Sequence, residues 1–327
     1  VSEAVLFIAL PAIVSAIVIA LARRARWAGR FADHPNERSL HSRAIPRLGG
    51  IGVMAAAIPM LMLAGGGAVA LIAACALFLA LVSLADDARS LPIEVRLPAH
   101  AVAALVVVLA VGDPAWGWAI AIGAVLAIVW MTNLFNFMDG ADGLAGGMAL
   151  IGFGTLAIAA SDSGIVPLAL GCAAIAAAAA GFLPHNFPPA RVFLGDAGSV
   201  PLGFLAAALG AMGIARGAWA WWFPVLVFSP FIVDATVTIL RRLLRGERVW
   251  IAHRSHAYQR LVLAGWSRRR LAIASYALMV LVALSALVAR QSGETGRYAI
   301  ILVWSAMYPM VLVAIERRTR NAGADSR

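Results

Sequence analysis

Lysine is absent from this chain, so its 26 basic side chains are all arginine. Charge of either sign is scarce. Only 13% of residues are charged and 62% are hydrophobic, against roughly 25% charged in a soluble domain, which excludes an ordinary soluble fold. Cysteine occurs only at Cys75 and Cys172, both inside apolar runs, which excludes a disulfide framework and marks the pair as small packing residues in a reduced setting. No internal repeat, low-complexity tract or soluble appendage interrupts the chain, so residues 1–327 read as one membrane-embedded domain.

What is there is a series of apolar runs. At about 20 residues per span they predict an all-α polytopic membrane protein of 10–11 transmembrane helices. The runs lie near 4–22, 48–66, 68–85, 99–112, 115–131, 144–161, 164–183, 199–214, 217–240, 271–289 and 298–315. The first ends in Ala20-Leu21-Ala22, faintly like a signal-peptidase site. It has no basic region before it and Arg23 and Arg24 after it, so it is expected to be retained. If the first run starts outside, 23 of the 26 arginines fall in inner segments, leaving only Arg216, Arg290 and Arg297 outside. The positive-inside rule then fixes the orientation and removes nucleic acid as an explanation of the +10 net charge. All six histidines and most of the aspartates fall on that inner, cytoplasmic side.

Ionisable groups at bilayer depth are costly and mark function. Asn133 to Gly147 reads NLFNFMDGADGLAGG, in which Asn133, Asn136, Asp139 and Asp142 recur every third residue. In a helical turn they would share one face and converge on one ligand. Asp86 and Asp87 stand adjacent in SLADDARSLP, and two neighbouring carboxylates call for a cation or a shared proton between them. In HNFPPARVFLGDAGS, from His185 to Ser199, the glycines around Asp196 leave it free to meet a metal, and the helix start after it favours phosphate. Asp196 or Ser199 as a plain helix cap is the structural alternative there. His253, Arg254 and His256 in IAHRSHAYQRL supply donors and positive charge for phosphate or a sugar nucleotide, and two histidines are too few for zinc. Arg268 to Arg270 read as topology determinants or contacts to anionic headgroups. The first inner loop offers Asp33, Arg38, His41, Arg43 and Arg47, with Asp33 capping or pairing locally, or Arg38 and Arg43 holding an anionic substrate. Asp234 is expected to pair with Arg241 or Arg242 one or two turns on.

The order of these motifs resembles the polyprenyl-phosphate N-acetylhexosamine-1-phosphate transferases, of the glycosyltransferase family 4 type. The matching elements are HPNERSLHSRAIPRLGG, LADDARSL, NLFNFMDGADGLAGG, HNFPPARVFLGDAGS and PFIVDATVTILRRLLRGERVWIAHRSHAYQRL, spanning about 33–261. The resemblance implies an integral enzyme of the bacterial inner membrane with its active site facing the cytoplasm. It would transfer a sugar-1-phosphate from a UDP-N-acetylhexosamine to undecaprenyl phosphate, using Mg²⁺, or Mn²⁺ in its place, and releasing UMP. It further implies Asp196 as metal ligand, and Asp86 as the group that deprotonates or positions the lipid phosphate, with a share in the metal. Asp87 would assist, Asp139 and Asp142 would act in catalysis, and Asn133, Asn136, Asn186, Arg38, His41, His253, Arg254 and His256 would bind substrate. A homodimer is suggested only by the family. The peptidoglycan-precursor branch carries a lysine near the segment that reads HSRAIPRLGG here, so Arg43 or Arg47 would have to stand in. HPNERS and the sparse histidines of HRSH place the chain closer to the branch that starts O-antigen or other envelope polysaccharides. The alternatives are the phospho-MurNAc-pentapeptide transferase reaction of that peptidoglycan branch and, from another class, a secondary transporter. A transporter would carry its charges at mid-bilayer in repeated halves, and the CDP-alcohol phosphotransferases need paired aspartates that DGADGLAGG lacks.

Overall fold

The computed structural model describes residues 2–26, 28–33, 35, 44–113, 115–248 and 253–324, with side chains between 5 and 319. Arg38, His41 and Arg43 lie outside the described residues. Thirteen α-helices account for nearly all the described secondary structure: α1 (Ser2–Arg24), α2 (Gly49–Leu63), α3 (Gly67–Arg89), α4 (Ile93–Val111), α5 (Trp118–Phe137), α6 (Leu144–Asp162), α7 (Val166–Asn186), α8 (Asp196–Ala215), α9 (Trp222–Val227), α10 (Ser229–Leu244), α11 (Ala257–Leu263), α12 (Arg268–Gln291) and α13 (Glu294–Ala324). Nine of these described helices are long and apolar enough to cross a membrane, and α2 is a shorter apolar helix. The chain is an all-α polytopic membrane protein, with one short antiparallel pair, β1 (Ala32–Asp33) and β2 (Ile45–Pro46).

Each apolar run of the sequence is helical, but two boundaries differ in ways that matter. Helix α5 runs on to Phe137, past the expected end near 131, so Asn133 and Asn136 are helical and not in a loop. The Asn133 side chain donates to the Val129 carbonyl at 2.7 Å, a backbone contact one turn back that leaves the helix intact. The ninth run is broken at Phe228 into α9 and α10. Pro230 has no N–H for the Leu226 carbonyl, and the Ser229 hydroxyl donates to that carbonyl instead, at 2.6 Å.

Helix α8 is the axis of the bundle: 83% of its apolar window is buried, against 11% for the peripheral α13. Lipid offers no hydrophobic drive between helices, so association depends on close packing of small residues. The run AAIAAAAAG on α7 serves this, packing α7 against α6 and α1. At the head of α8 the approach is close, because Gly50 of α2 lies directly against the Gly198 backbone and a β-carbon there would overlap it. We expect Gly50→Ala to cost roughly 1–3 kcal/mol by overpacking and to lower the melting temperature of the detergent-extracted protein. Gly154→Ala, which meets open space, should be silent. Equal melting of the two variants would refute the α2–α8 contact.

Candidate active site

The contact between α2 and α8 is extended by backbone hydrogen bonds that lock the segment before α2 in place. The Phe193 N–H donates to Pro46 at 2.9 Å, Gly49 donates to Phe193 at 2.9 Å, and Gly50 donates to Leu194 at 2.7 Å. Arg47 sits in the middle of this zipper, its own N–H donating to Phe31 at 2.9 Å. Its guanidinium is thereby fixed among carboxylates, at 2.6 Å from Asp33 Oδ1 and 3.7 Å from Asp87 Oδ1. Local pairing of Asp33 is thus borne out, with Arg47 as its partner.

Four aspartates gather beside this arginine and Arg96. Asp86 and Asp87 close α3, Asp196 opens α8, and Asp139 lies in the turn after α5. Asp196 is within electrostatic reach of Asp86, Asp87 and Asp139. It does not cap its helix, since Gly195, at φ +75°, takes that place and leaves the carboxylate turned into the cluster. The Asn136 amide donates to Asp196 Oδ2 at 3.3 Å and is held in turn by the Ser199 hydroxyl at 3.0 Å. Asp87 Oδ2 accepts the Ala197 N–H at 3.2 Å, so the donors at the start of α8 that were expected to face phosphate are partly taken by a carboxylate from α3. Both Asp86 oxygens are engaged, one by Leu91 N–H at 2.6 Å and one by Arg96 at 2.8 Å. Desolvation first, and then repulsion from Asp196, push Asp139 well above the ordinary carboxylate range.

A cavity of about 740 Å³ opens over this cluster. Its polar part holds Asp86, Asp196, Arg96, Asn133 and Asn136, its far wall carries His253, His256 and Gln259, and one side is apolar, with Val82, Ile93, Leu97 and Leu126. The histidine wall is built by Asp234, which accepts the N–H groups of Ala257 at 2.8 Å and Tyr258 at 3.2 Å and lies 3.5 Å from His256 Nδ1. The expected pairing of Asp234 with Arg241 or Arg242 is therefore not found; those arginines meet Glu316 and Glu247. His256 stacks between Phe137 and Tyr258.

The three-residue period of Asn133, Asn136, Asp139 and Asp142 holds only as far as Phe137, where α5 ends and the chain turns. Asp142 consequently faces away from the cavity, accepting the Ala190 N–H at 3.0 Å with Arg268 at 3.5 Å. Asn186 is buried beside it, accepting from Gly143 at 2.8 Å and donating to Val192 at 2.9 Å. Both tie the DGADG turn to the loop before α8 instead of lining the cavity, and Arg268 belongs to that tie. Tyr258 and Tyr276 clamp the same turn through the Phe137 and Gly143 carbonyls. Arg254 is exposed and lines none of the cavity. Arg96, His100 and Gln259, which the motifs did not single out, do line it. Arg96 and His100 stand four apart in a helix whose only other charged residue is Glu94, and that spacing was the available signal.

Among the described residues no three Asp, Glu, His or Cys side chains form a closed metal cage. Magnesium rarely uses one, taking one or two carboxylates plus substrate phosphates and waters. The carboxylates here fit that mode: Asp87 Oδ1 is buried and accepts no hydrogen bond from a described residue.

His253 provides a pH signature. Burial, followed by the neighbouring His256 and Arg242, lowers its pKa from 6.5 to about 4. Unfolded, the ring takes a proton as pH falls below 6.5, whereas folded it does so only near 4, so its contribution to stability is complete above 6.5 and is lost through that window. The melting temperature should therefore drop between pH 7 and pH 4.5 by more in the wild type than in His253→Gln. Parallel profiles would contradict the buried neutral ring.

Comparison with known proteins agrees with this architecture. Residues 69–214 match the family model described as Glycosyl transferase family 4. The chain is 26% identical over 277 residues to a probable undecaprenyl-phosphate N-acetylglucosaminyl 1-phosphate transferase of Bacillus subtilis (strain 168), covering 80% of this chain and 77% of the relative. It is 31% identical over 152 residues to the undecaprenyl-phosphate alpha-N-acetylglucosaminyl 1-phosphate transferase of Yersinia pestis, covering 42% of each. The segment matched by the family model contains Asp86, Asp87, Asn136, Asp139 and Asp196, and in its sequence the chain is similar to glycosyl transferase family 4 and to these two undecaprenyl-phosphate sugar-1-phosphate transferases.

Proposed function

We propose that the chain transfers N-acetylhexosamine-1-phosphate, with N-acetylglucosamine the first choice of sugar, from its UDP donor to undecaprenyl phosphate. The proposed setting is the cytoplasmic face of the bacterial inner membrane, at the start of an O-antigen or other envelope polysaccharide. The observation that carries this reading is the double character of the cavity, whose carboxylate and arginine floor suits a diphosphate while its apolar side suits a lipid tail. The names of the two relatives support the acceptor and the sugar, and the arginine distribution supports the inner face.

Magnesium, or manganese in its place, would be held by Asp196 and Asp87, and when bound would neutralise charge on the diphosphate. Asp87 is preferred to Asp86 as second ligand because both Asp86 oxygens are already engaged by Leu91 and Arg96. Asp86 acts instead on Arg96, holding its guanidinium at the cavity edge for the lipid phosphate. Arg47 offers a second fixed cation. Asn136 orients Asp196, and His253 and His256 donate to phosphate or sugar from the opposite wall. An oxygen of the lipid phosphate attacks the phosphorus bonded to the sugar, and the bond from that phosphorus to UMP breaks. The rate then comes from positioning and from electrostatic stabilisation of the displaced charge.

Purified protein supplied with undecaprenyl phosphate, magnesium and a panel of UDP-N-acetylhexosamines is expected to release UMP and to stop when EDTA is added. Turnover with no donor would sink the assignment. Asp196→Asn and Asp87→Asn should lower kcat by roughly 10²–10³-fold, the loss typical of one electrostatic stabiliser, while Asp142→Asn should act on stability first. A chiral thiophosphate donor should give inversion at phosphorus, and retention would point to a covalent enzyme intermediate.

A further inference from the structure

Behind the histidine wall, on the far side from the catalytic carboxylates, lies a second polar compartment of about 240 Å³ between α10, α11 and α13. Arg241, Arg242, Arg245 and Arg260 line it, against Glu316 as the one lining carboxylate among the described residues. Glu316 and Glu247 are matched to Arg241 and Arg242, at 3.4 and 2.7 Å, while Arg245 and Arg260 form no ion pair with a described residue. Arg260 is aimed by the Thr319 hydroxyl at 2.6 Å. Excess positive charge therefore lines a concave site, with Arg260 half-buried inside it and Arg245 exposed at its mouth.

This basic compartment adjoins an apolar one of about 490 Å³, the two sharing Ala257, Leu312 and Ile315. The apolar part runs between α12 and α13 along Leu278, Met279 and Val311. At its rim the Trp266 Nε1–H is buried with no partner among the described residues, and Arg318 and Arg270 lie over the Trp266 ring at 5.8 and 4.3 Å. An arginine chamber continuous with a hydrocarbon groove in a membrane protein matches the two halves of one amphiphile. The soluble parts of the reaction, a nucleotide or a free sugar phosphate, match only the first half.

We propose that this groove binds an anionic phospholipid of the surrounding bilayer, its phosphate on Arg245 and Arg260 and an acyl chain between α12 and α13. The site is separate from the reaction cavity, the 253–258 segment forming the wall between them: Ser255 and Ala257 face the groove, and His253 and His256 face the cavity. A lipid seated there braces the backbone that carries the two histidines, so lipid composition acts on the active site through this wall.

Full-length protein in nanodiscs of phosphatidylcholine alone, or with a third of phosphatidylglycerol, tests the proposal without reference to turnover. Phosphatidylglycerol should raise the melting temperature by several degrees and slow backbone hydrogen exchange across 253–263. Arg245→Gln combined with Arg260→Gln should abolish the preference for the anionic lipid, and Ala274→Trp, at the exposed edge of the groove, should weaken retention of lipid in native mass spectrometry. The proposal is overturned by any of three results: an equal response to both bilayers, the same shift from soluble glycerol phosphate, or displacement of the bound lipid by undecaprenyl phosphate, which would make the groove a substrate site.

Discussion

Carboxylates crowded at the edge of an apolar bundle repel one another, and low surrounding polarity strengthens that repulsion. Asp86, Asp87, Asp139 and Asp196 are nevertheless gathered from three separate parts of the chain. The arrangement stands because counter-charge is fixed among them before any ligand arrives. Arg47 is locked by the zipper of 45–50 against 193–194, and Arg96 is locked by Asp86. Burying charge without such partners would be strongly destabilising. The small residues that let α2 touch α8 are therefore also the residues that make the site electrostatically tenable.

The surrounding polar groups divide into two kinds. Some face the cavity, among them Asn133, Asn136, His253 and His256. Others are spent on the scaffold: Asp142, Asn186, Arg268, Tyr258 and Tyr276 hold one turn, the DGADG turn, against the loop before α8. Asp234 does the same for the histidine wall. In a membrane domain poor in polar residues, roughly as many are used to shape the backbone near the site as to line the cavity. The requirement that buried polar groups be satisfied explains why.

Much of this was legible in the sequence. Each apolar run is a helix, because a bilayer allows few other solutions for the backbone, and the aspartate motifs at helix ends do converge. What was not legible has specific causes. The period of three through Asp142 could not reveal that α5 stops at Phe137, so a residue on the expected face turned out to serve the loop. Asp234 has arginines at helical spacing on its own helix, yet backbone N–H groups from a different element took its oxygens. Arg47 belonged to a loop where several arginines looked equivalent. Only a pairing across about 146 residues, to Phe193, singled it out.

The central claim is that the converging aspartates form a seat for one divalent cation. Titrating Mn²⁺ into the detergent-purified protein and following free ion by electron paramagnetic resonance tests it without substrate. The account predicts one saturable ion per chain, displaced by Mg²⁺, lost in Asp196→Asn and retained in Asp142→Asn. No saturable binding, or binding indifferent to Asp196, would contradict it.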